Sequence, residues 1–320
     1  MTIEPVSLTV VIPTRNRPEL LGRCLAALRA AVSPDDEILV CDSASTDPRV
    51  REIAEAAATT YLRAGRPGTS LARNTGWRAA KHDIIAFVDD DIEVTPGWAG
   101  VVRAVFEAEP GLGLLTGSVD VPDEDRTVDH PTSIEQHSQP HELAAGSARP
   151  RGISGNCAIR REVLEAVGGF DEGLGPGTRL RAGEDKDLFD RILGSGARGR
   201  YEPSMRVRHV QWRTRTARLG LDWSYGIGAG ARLAKVLRTD RRHARSIASE
   251  LFGRWGFADL GRSIRSRYKL GMAAALLRLA GMVVGVALGL ATRVRDGHYA
   301  SSGPRSVPVR SDERSERGNV

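Results

Sequence analysis

Asp83–Val94 reads D-I-I-A-F-V-D-D-D-I-E-V, and its reading sets the architecture expected for the whole chain. Ile84 to Val88 is an unbroken apolar run with branched and aromatic side chains, the pattern of a strand covered on both faces in a parallel sheet. That strand delivers three acids at its carboxyl end. Continued in extended form, alternation puts Asp89 and Asp91 on one side and Asp90 on the other. Two carboxylates on one side make a hard oxygen site for a divalent cation, Mn²⁺ or Mg²⁺, which keeps waters and takes further oxygens from a diphosphate. In isolation the triplet reads equally as an acidic loop cap, so its neighbours decide.

On the amino-terminal side, Leu8 to Ile12 reads as a buried strand ending at Pro13, and P-T-R-N-R-P over Pro13–Pro18 as a turn. Leu20, Leu21, Cys24, Leu25 and Leu28 then recur at helical spacing, with Pro18 in the first turn. Glu37 to Cys41 is a second strand, ending at Asp42, and a helix follows from Pro48 to about Ala58. This β-α-β-α order predicts a parallel sheet with right-handed crossovers, whose ligands bind beyond the carboxyl ends of the strands. Pro13 to Arg17, Asp42 and Asp89 to Asp91 all fall at such ends. The stretch Gly65–Lys81, G-R-P-G-T-S-L-A-R-N-T-G-W-R-A-A-K, is a loop leading into a short helix capped by Thr69 or Ser70. Arg73 and Asn74 either face a ligand beside the carboxylates, where a guanidinium suits a diphosphate, or are plain helix residues.

On the carboxyl side, Leu112 to Gly117 is another strand, and the polar stretch from Val121 to Arg151 reads as a long loop, a candidate lid. His130, His137 and His141 within it are expected to be solvated rather than metal-bound. Ser154 to Arg160 enters a helix ended by Gly168 and Gly169. Ala182–Leu193, A-G-E-D-K-D-L-F-D-R-I-L, is a helix opened by Glu184 and Asp185. Acids there answer the helix dipole, and one at a pocket rim is also a positioned general base. A strand from Arg200 to Val210 places His209 at an element end, as a structural histidine or a third metal ligand.

The net charge of +6 over 320 residues is unevenly spread: residues 1–205 carry −9 and residues 206–320 carry +15. An acidic first part suits a metal and its ligand, and a basic last part an anionic surface. Cys24, Cys41 and Cys157 are far apart in apolar surroundings, which fits buried thiols in a reducing compartment. No signal peptide is read at the amino terminus, and the expected location is the cytoplasm. Trp223–Lys235, W-S-Y-G-I-G-A-G-A-R-L-A-K, reads as a face for an anionic ligand or as a solvated helix. Leu270 to Thr292 is apolar except for Arg278, with cations at both flanks. At ~1.5 Å per residue the full stretch reaches across a ~30 Å hydrocarbon core, while the uninterrupted part from Leu279 does not. A helix on the inner face of the cell membrane, a span and a buried core helix all satisfy this composition. The polar stretch 301–320 reads as a disordered tail.

Taken in order, V-V-I-P-T-R-N-R-P, V-C-D-S-A-S-T-D, L-A-R-N-T-G, F-V-D-D-D and G-E-D resemble the family 2 glycosyltransferases, inverting enzymes of the GT-A fold. The resemblance runs from about Leu8 to His209. It implies an α/β nucleotide-diphospho-sugar transferase fold over 1–210, a Rossmann-like, mostly parallel sheet flanked by helices, with a nucleotide-sugar half to about 118 and an acceptor half beyond. A basic helical extension, 211–300, follows. It further implies that Pro13, Thr14 and Arg15 line the nucleotide base, that Asp42 holds the base, and that Arg73, with Asn74 beside it, lies near the diphosphate. Asp89 and Asp91 become the Asp-x-Asp pair, Asp91 on the metal and Asp89 toward ribose or metal. Asp185 is then the catalytic base, Glu184 assists the acceptor, and His209 sits on metal or diphosphate. The Gln-x-x-Arg-Trp motif of processive synthases is missing, and Q-W-R at Gln211–Arg213 is a superficial echo of it, so single-sugar transfer is expected. The acceptor implied is a glycan, lipid-linked or small-molecule hydroxyl in cell-envelope or other glycoconjugate synthesis.

Three other functions fit less well. A nucleotidyltransferase wants a glycine-rich phosphate loop that P-T-R-N-R-P does not supply. A non-catalytic nucleotide-sugar-binding scaffold would be free to lose Asp89, Asp91 and Asp185. A nucleic-acid binder has only the positive carboxyl-terminal region in its favour, and that region carries no reading motif, so no nucleic-acid partner is expected.

Overall fold

The computed structural model describes residues 6–122, 134–144 and 152–300. The tail from 301, His130 and much of the 121–151 loop lie outside the described residues.

Nine strands join in one sheet: β1 (Leu8–Thr14), β2 (Glu37–Asp42), β3 (Thr60–Arg63), β4 (Ile84–Val88), β5 (Ile92–Val94), β6 (Leu112–Asp120), β7 (His141–Leu143), β8 (Asn156–Arg160) and β9 (Arg198–His209). Their order is β3-β2-β1-β4-β8-β6-β9-β5, with β7 on β9. The run β3-β2-β1-β4 is parallel, as the β-α-β-α alternation requires, and β6 pairs parallel with β9. Antiparallel β8 separates these two blocks. Side chains alternate across β1, so Leu8, Val10 and Ile12 meet α1 (Pro18–Arg29) and α4 (Trp98–Ala108), with α2 (Arg49–Ala56) on the same face. Val11, Leu39 and Phe87 meet the other layer, α3 (Thr69–Ala79), α5 (Arg161–Val167) and α6 (Glu184–Gly194). Burial on both faces explains why these strands are apolar throughout. Cys24, Cys41 and Cys157 are unpaired and buried within these layers.

The described part of the 121–151 loop is more ordered than its composition suggests. Val119 and Glu135 exchange backbone hydrogen bonds, and β7 pairs with β9. His137 and His141 are partly exposed and also packed: His141 stacks on Tyr201 at 4.9 Å, and His137 meets both rings edge-on. A buried aromatic platform on β9, invisible in a polar sequence window, accounts for the difference.

After β9 the chain forms a helical layer of α7 (Arg215–Val236), α8 (Arg241–Ala248), the π-helix Ser249–Ala258, α9 (Asp259–Arg265) and α10 (Lys269–Ala291). The glycines of G-I-G-A-G-A are packing contacts rather than a solvated face. A Cβ at Gly226 or Gly230 would overlap the backbone of α10, and one at Gly281 or Gly285 would overlap that of α7. Gly228 presses instead on Ala182, directly before α6. α10 is half-covered. Gly281, Met282, Gly285 and Gly289 are buried, whereas Leu276, Val283, Val284 and Leu290 are exposed. Arg278, the one charge inside the apolar stretch, pairs with Asp222 at 3.3 Å and with Asp259, and lies over the Trp255 ring.

Gly285→Val places branched carbons against the Ile227 carbonyl. Overpacking of this kind costs about 1–3 kcal/mol, so thermal denaturation should show a clearly lowered midpoint. An unchanged midpoint would mean that the two helices do not meet through these glycines.

Candidate active site

The motif L-A-R-N-T-G explains how the site is held. On α3, Gly76 lets the helix touch Val11 and Cys41, where a Cβ would overlap both side chains. Asn74 is buried and saturated: its amide donates to the Phe170 carbonyl (2.9 Å) and Glu172 (3.1 Å), and its oxygen accepts from Trp77 and the Phe170 amide. It therefore latches α3 to the turn before α6 and does not line the cavity. Arg73, 2 % exposed, donates to Asp89 at 2.6 Å and to Glu184 at 3.2 Å. One guanidinium thus joins the acid end of β4 to the start of α6.

The three acids after β4 do not continue its alternation. Ile92 N donates to the Asp89 carbonyl, closing a turn over Asp90 and Asp91. Asp90 is fully buried, accepts a hydrogen bond from Thr14 (2.7 Å) and forms an ion pair with Arg17 (2.8 Å). Burial pushes its carboxyl up to about 7, with Arg17 opposing and Asp91 reinforcing. Asp91 sits beside His209 because β5 pairs antiparallel with β9, Ile92 opposite His209. The His209 Nε2 lies 3.5 Å from its carboxylate, Trp212 Nε1 donates at 2.9 Å, and Arg17 and Arg213 lie at 3.1 and 3.7 Å. Burial alone would raise the Asp91 pKa, yet His209, Arg17 and Arg213 hold it well below the usual carboxylate range.

A cavity of about 1070 Å³ opens beyond these strand ends. Pro13, Thr14, Arg15, Arg73, Asp89, Asp91, Glu184, Asp185 and His209 all border it, and Asp42 and Asn74 do not. The Asp42 carboxylate accepts from Tyr61, Arg63 (2.7 Å) and the Ser45 amide (2.8 Å) at the end of β2. Glu184 and Asp185 begin α6 after Gly183, whose φ of 89° favours glycine and lets the helix start abruptly at the cavity wall. Burial, reinforced by Asp185, pushes the Glu184 carboxyl up to about 7 against the pull of Arg73.

Among the described residues no group of three or more His, Cys, Asp or Glu side chains converges tightly enough to hold a metal unaided. Asp91 and His209 offer one carboxylate and one imidazole on the cavity wall, while Asp89 is drawn toward Arg73. This donor set suits a divalent cation that completes its shell with ligand oxygens. The sequence reading has no role for Trp212, whereas Arg17 falls in the Pro13–Arg17 strand-end turn, and Tyr225 and Arg232 fall in the Trp223–Lys235 segment, one of whose two readings is a face for an anionic ligand. Only Q-W-R hinted at Trp212 and Arg213, and it was read as an echo of another motif.

α7 also supports α6 from behind. Lys235, buried, pairs with Asp171 at 2.6 Å and Asp187 at 2.5 Å, and Arg232 with Asp190 at 2.5 Å. Leu221, Tyr225 and Arg232 of the same helix line the cavity.

A parallel amino-terminal block, acids at the β4 end and a second acid pair opening α6 fit the GT-A nucleotide-sugar transferase fold. The family model described as "Glycosyl transferase family 2" matches residues 9–168, and the chain belongs to that family. It is 28% identical over 214 residues to the pre-mycofactocin glycosyltransferase of Mycobacterium tuberculosis, covering 63% of this chain and 42% of that protein. It is 28% identical over 177 residues to glycosyltransferase AglE of Haloferax volcanii, covering 52% and 56%. The chain thus spans less than half of the mycobacterial relative's length. Among solved structures it resembles the mannosyltransferase PcManGT from Pyrobaculum calidifontis, in complex with GDP-Man and Mn²⁺, with TM-score 0.60, 21% identity and coverage of 90% and 88%. S. aureus TarS 1–349 in complex with UDP-GlcNAc gives TM-score 0.60, 17% identity and coverage of 88% and 82%.

The raised pKa of Glu184 sets a sign. A carboxyl that prefers its proton when folded stabilises the fold at low pH, and this contribution fades as pH rises through about 7. The midpoint difference between Glu184→Gln and the parent should therefore move in the variant's favour from about pH 5 to about pH 8. A difference that stays constant with pH would contradict the buried, proton-retaining environment.

Proposed function

We propose that the protein transfers a single sugar, with inversion, from a nucleotide-diphospho-sugar to an acceptor hydroxyl, in a metal-dependent reaction. The observation that carries this reading is that one cavity has Asp89, Asp91 and His209 on one wall and Glu184 and Asp185 on the other, with Arg73 joining them. Pro13, Thr14 and Arg15 border the nucleotide end of that cavity, and Asp42 lies just behind it as the base-holding carboxylate. Asn74 acts on the donor only indirectly, by fixing the helix that carries Arg73.

In the reaction, a bond forms from the acceptor oxygen to the anomeric carbon as the bond from that carbon to the diphosphate breaks on the opposite face. Asp185, half-buried at the cavity edge, takes the hydroxyl proton, and Glu184 holds the acceptor beside it. Arg73 faces the charge that grows on the departing diphosphate. A divalent cation on Asp91 and His209, with Asp89 toward it, would offset the same charge, and Mn²⁺ in the similarly folded PcManGT supports that choice.

The helical layer supports work at the cytoplasmic face of the cell membrane. Every large hydrophobic side chain exposed among the described residues lies between Trp212 and Leu290, in the basic part of the chain. α10 is long and apolar enough to cross a membrane. Its close packing on α7, and the tie of α7 to α6, favour a helix lying on the surface. Buried unpaired thiols fit a reducing compartment.

Three measurements test this reading. Thermal stability against a panel of nucleoside diphosphates, each with and without Mn²⁺, should show one nucleotide that stabilises only with metal, by roughly 2.7 kcal/mol at ~100 times its dissociation constant. Asp185→Asn should lower turnover at least ~100-fold while leaving that nucleotide response intact; undiminished turnover would remove Asp185 as the base. Leu276→Glu with Val283→Glu should abolish flotation with phosphatidylglycerol vesicles and spare nucleotide binding. Flotation unchanged by both substitutions would place the membrane contact elsewhere.

A further inference from the structure

The half of the cavity farthest from the strand ends is walled by the helical layer, and its chemistry differs from that of the donor half. One face of α7 brings Leu221, Tyr225 and Arg232, and the π-helix brings Leu251, Arg254 and Trp255. A π-helix is a rare conformation that tends to occur where function requires it. Opposite them, Arg181 stands in the turn before α6 with φ of 62°, a left-handed conformation that a non-glycine residue adopts at a cost.

The charges on this wall are not neutralised from within. Arg181 and Arg254 make no ion pair among the described residues, and Arg262, at the rim, has only Asp259. Arg232 is 5 % exposed, with Nε on Asp190 and its Nη2 without a hydrogen-bond partner. Glu250 is the one acid that the π-helix adds to this wall. Aliphatic and aromatic side chains separate the cations. The apolar surface also continues outward: Phe257 of the π-helix is 62 % exposed, Ile264 of α9 is 56 % exposed, and both belong to the same layer as the outer face of α10.

Resting on the transferase reading above, we infer that this half of the cavity binds the acceptor, and that the acceptor is an anionic amphiphile: a hydroxyl-bearing group carried on an alkyl phosphate or diphosphate. Arg181 and Arg254 receive the phosphate. Leu221, Leu251 and Trp255 receive the first carbons of the chain. The rest of the chain leaves toward Phe257 and the surface that meets the bilayer. A neutral sugar acceptor would leave these two guanidiniums without an anionic partner, and free phosphate would leave the apolar lining exposed to water.

Dodecyl phosphate below its micellar concentration is a suitable probe, with inorganic phosphate and dodecyl maltoside as comparisons, by calorimetry on the full chain. Dodecyl phosphate should bind at least ~10-fold more tightly than either comparison, and the exposed double substitution Arg181→Ala, Arg254→Ala should remove that advantage. Equal binding of inorganic phosphate would reduce the site to an anion site, equal binding of dodecyl maltoside would reduce it to an apolar groove, and an undisturbed double variant would place the ligand elsewhere. Each of these outcomes overturns the inference. Nucleoside diphosphate binding with Mn²⁺, measured on the same samples, reports separately on the donor half. Its loss with alkyl phosphate binding intact would count against the transferase reading alone.

Discussion

Arg73 is the constraint on which the rest of the structure depends. A guanidinium almost wholly removed from water is tolerable only when its charge is met, and two carboxylates from distant parts of the chain meet it. Asp89 belongs to the end of β4, and Glu184 to the start of α6. Breaking a buried pair of this kind by removing one partner costs about 3–5 kcal/mol, far more than an exposed ion pair is worth. The separation of the acids at the end of β4 from the acids at the start of α6 is therefore set by the reach of one side chain. Asn74 fixes α3 against the Phe170–Glu172 turn, so that Arg73 has no freedom to choose other partners.

The same economy governs the electrostatics of the strand ends. Asp90 and Asp91 are adjacent, and Arg17 spans both. Their environments push them apart: Asp90, wholly buried, tends to keep its proton, whereas Asp91, ringed by His209, Arg17 and Arg213, stays ionised. A cleft where one acid is neutral and its neighbour charged concentrates negative charge at Asp91. A divalent cation arriving there meets a carboxylate already surrounded by cationic side chains, and it must displace them toward the anionic ligand that it brings. On the proposed reading, that exchange would couple cation and diphosphate binding.

The parallel half of the sheet was legible because two-sided burial writes itself as continuous apolar runs, and Leu8 to Ile12, Glu37 to Cys41 and Ile84 to Val88 each carry that signature. The sites at their carboxyl ends followed from topology. What stayed hidden was of two kinds. β3 and β5 are too short for any periodicity to show, and it is β5 that puts His209 beside Asp91. The turn at Asp89–Asp91 likewise breaks an alternation that the residues themselves do not contradict. The second kind is tertiary. G-I-G-A-G-A on α7 looks like a loose polar helix until the glycines of α10 are placed against it, and Arg232 and Lys235 look like surface cations until Asp171, Asp187 and Asp190 are brought to them. Partners more than 40 residues apart leave no local mark.

The helical layer cannot then be treated as an appendage with a separate task. α7 holds α6 from behind through two buried cations, presses on the residue before Gly183, and presents its other face to the cavity. α10 is seated on α7 through backbone contacts that leave no room for sliding, because glycine against carbonyl admits no adjustable side chain between them. Whatever orients the outer face of α10 therefore orients α7, and α7 in turn fixes where Glu184 and Asp185 point. A surface that receives the exposed apolar side chains of α10 would by this route set the angle at which an acceptor meets Asp185, without touching any residue of the donor half.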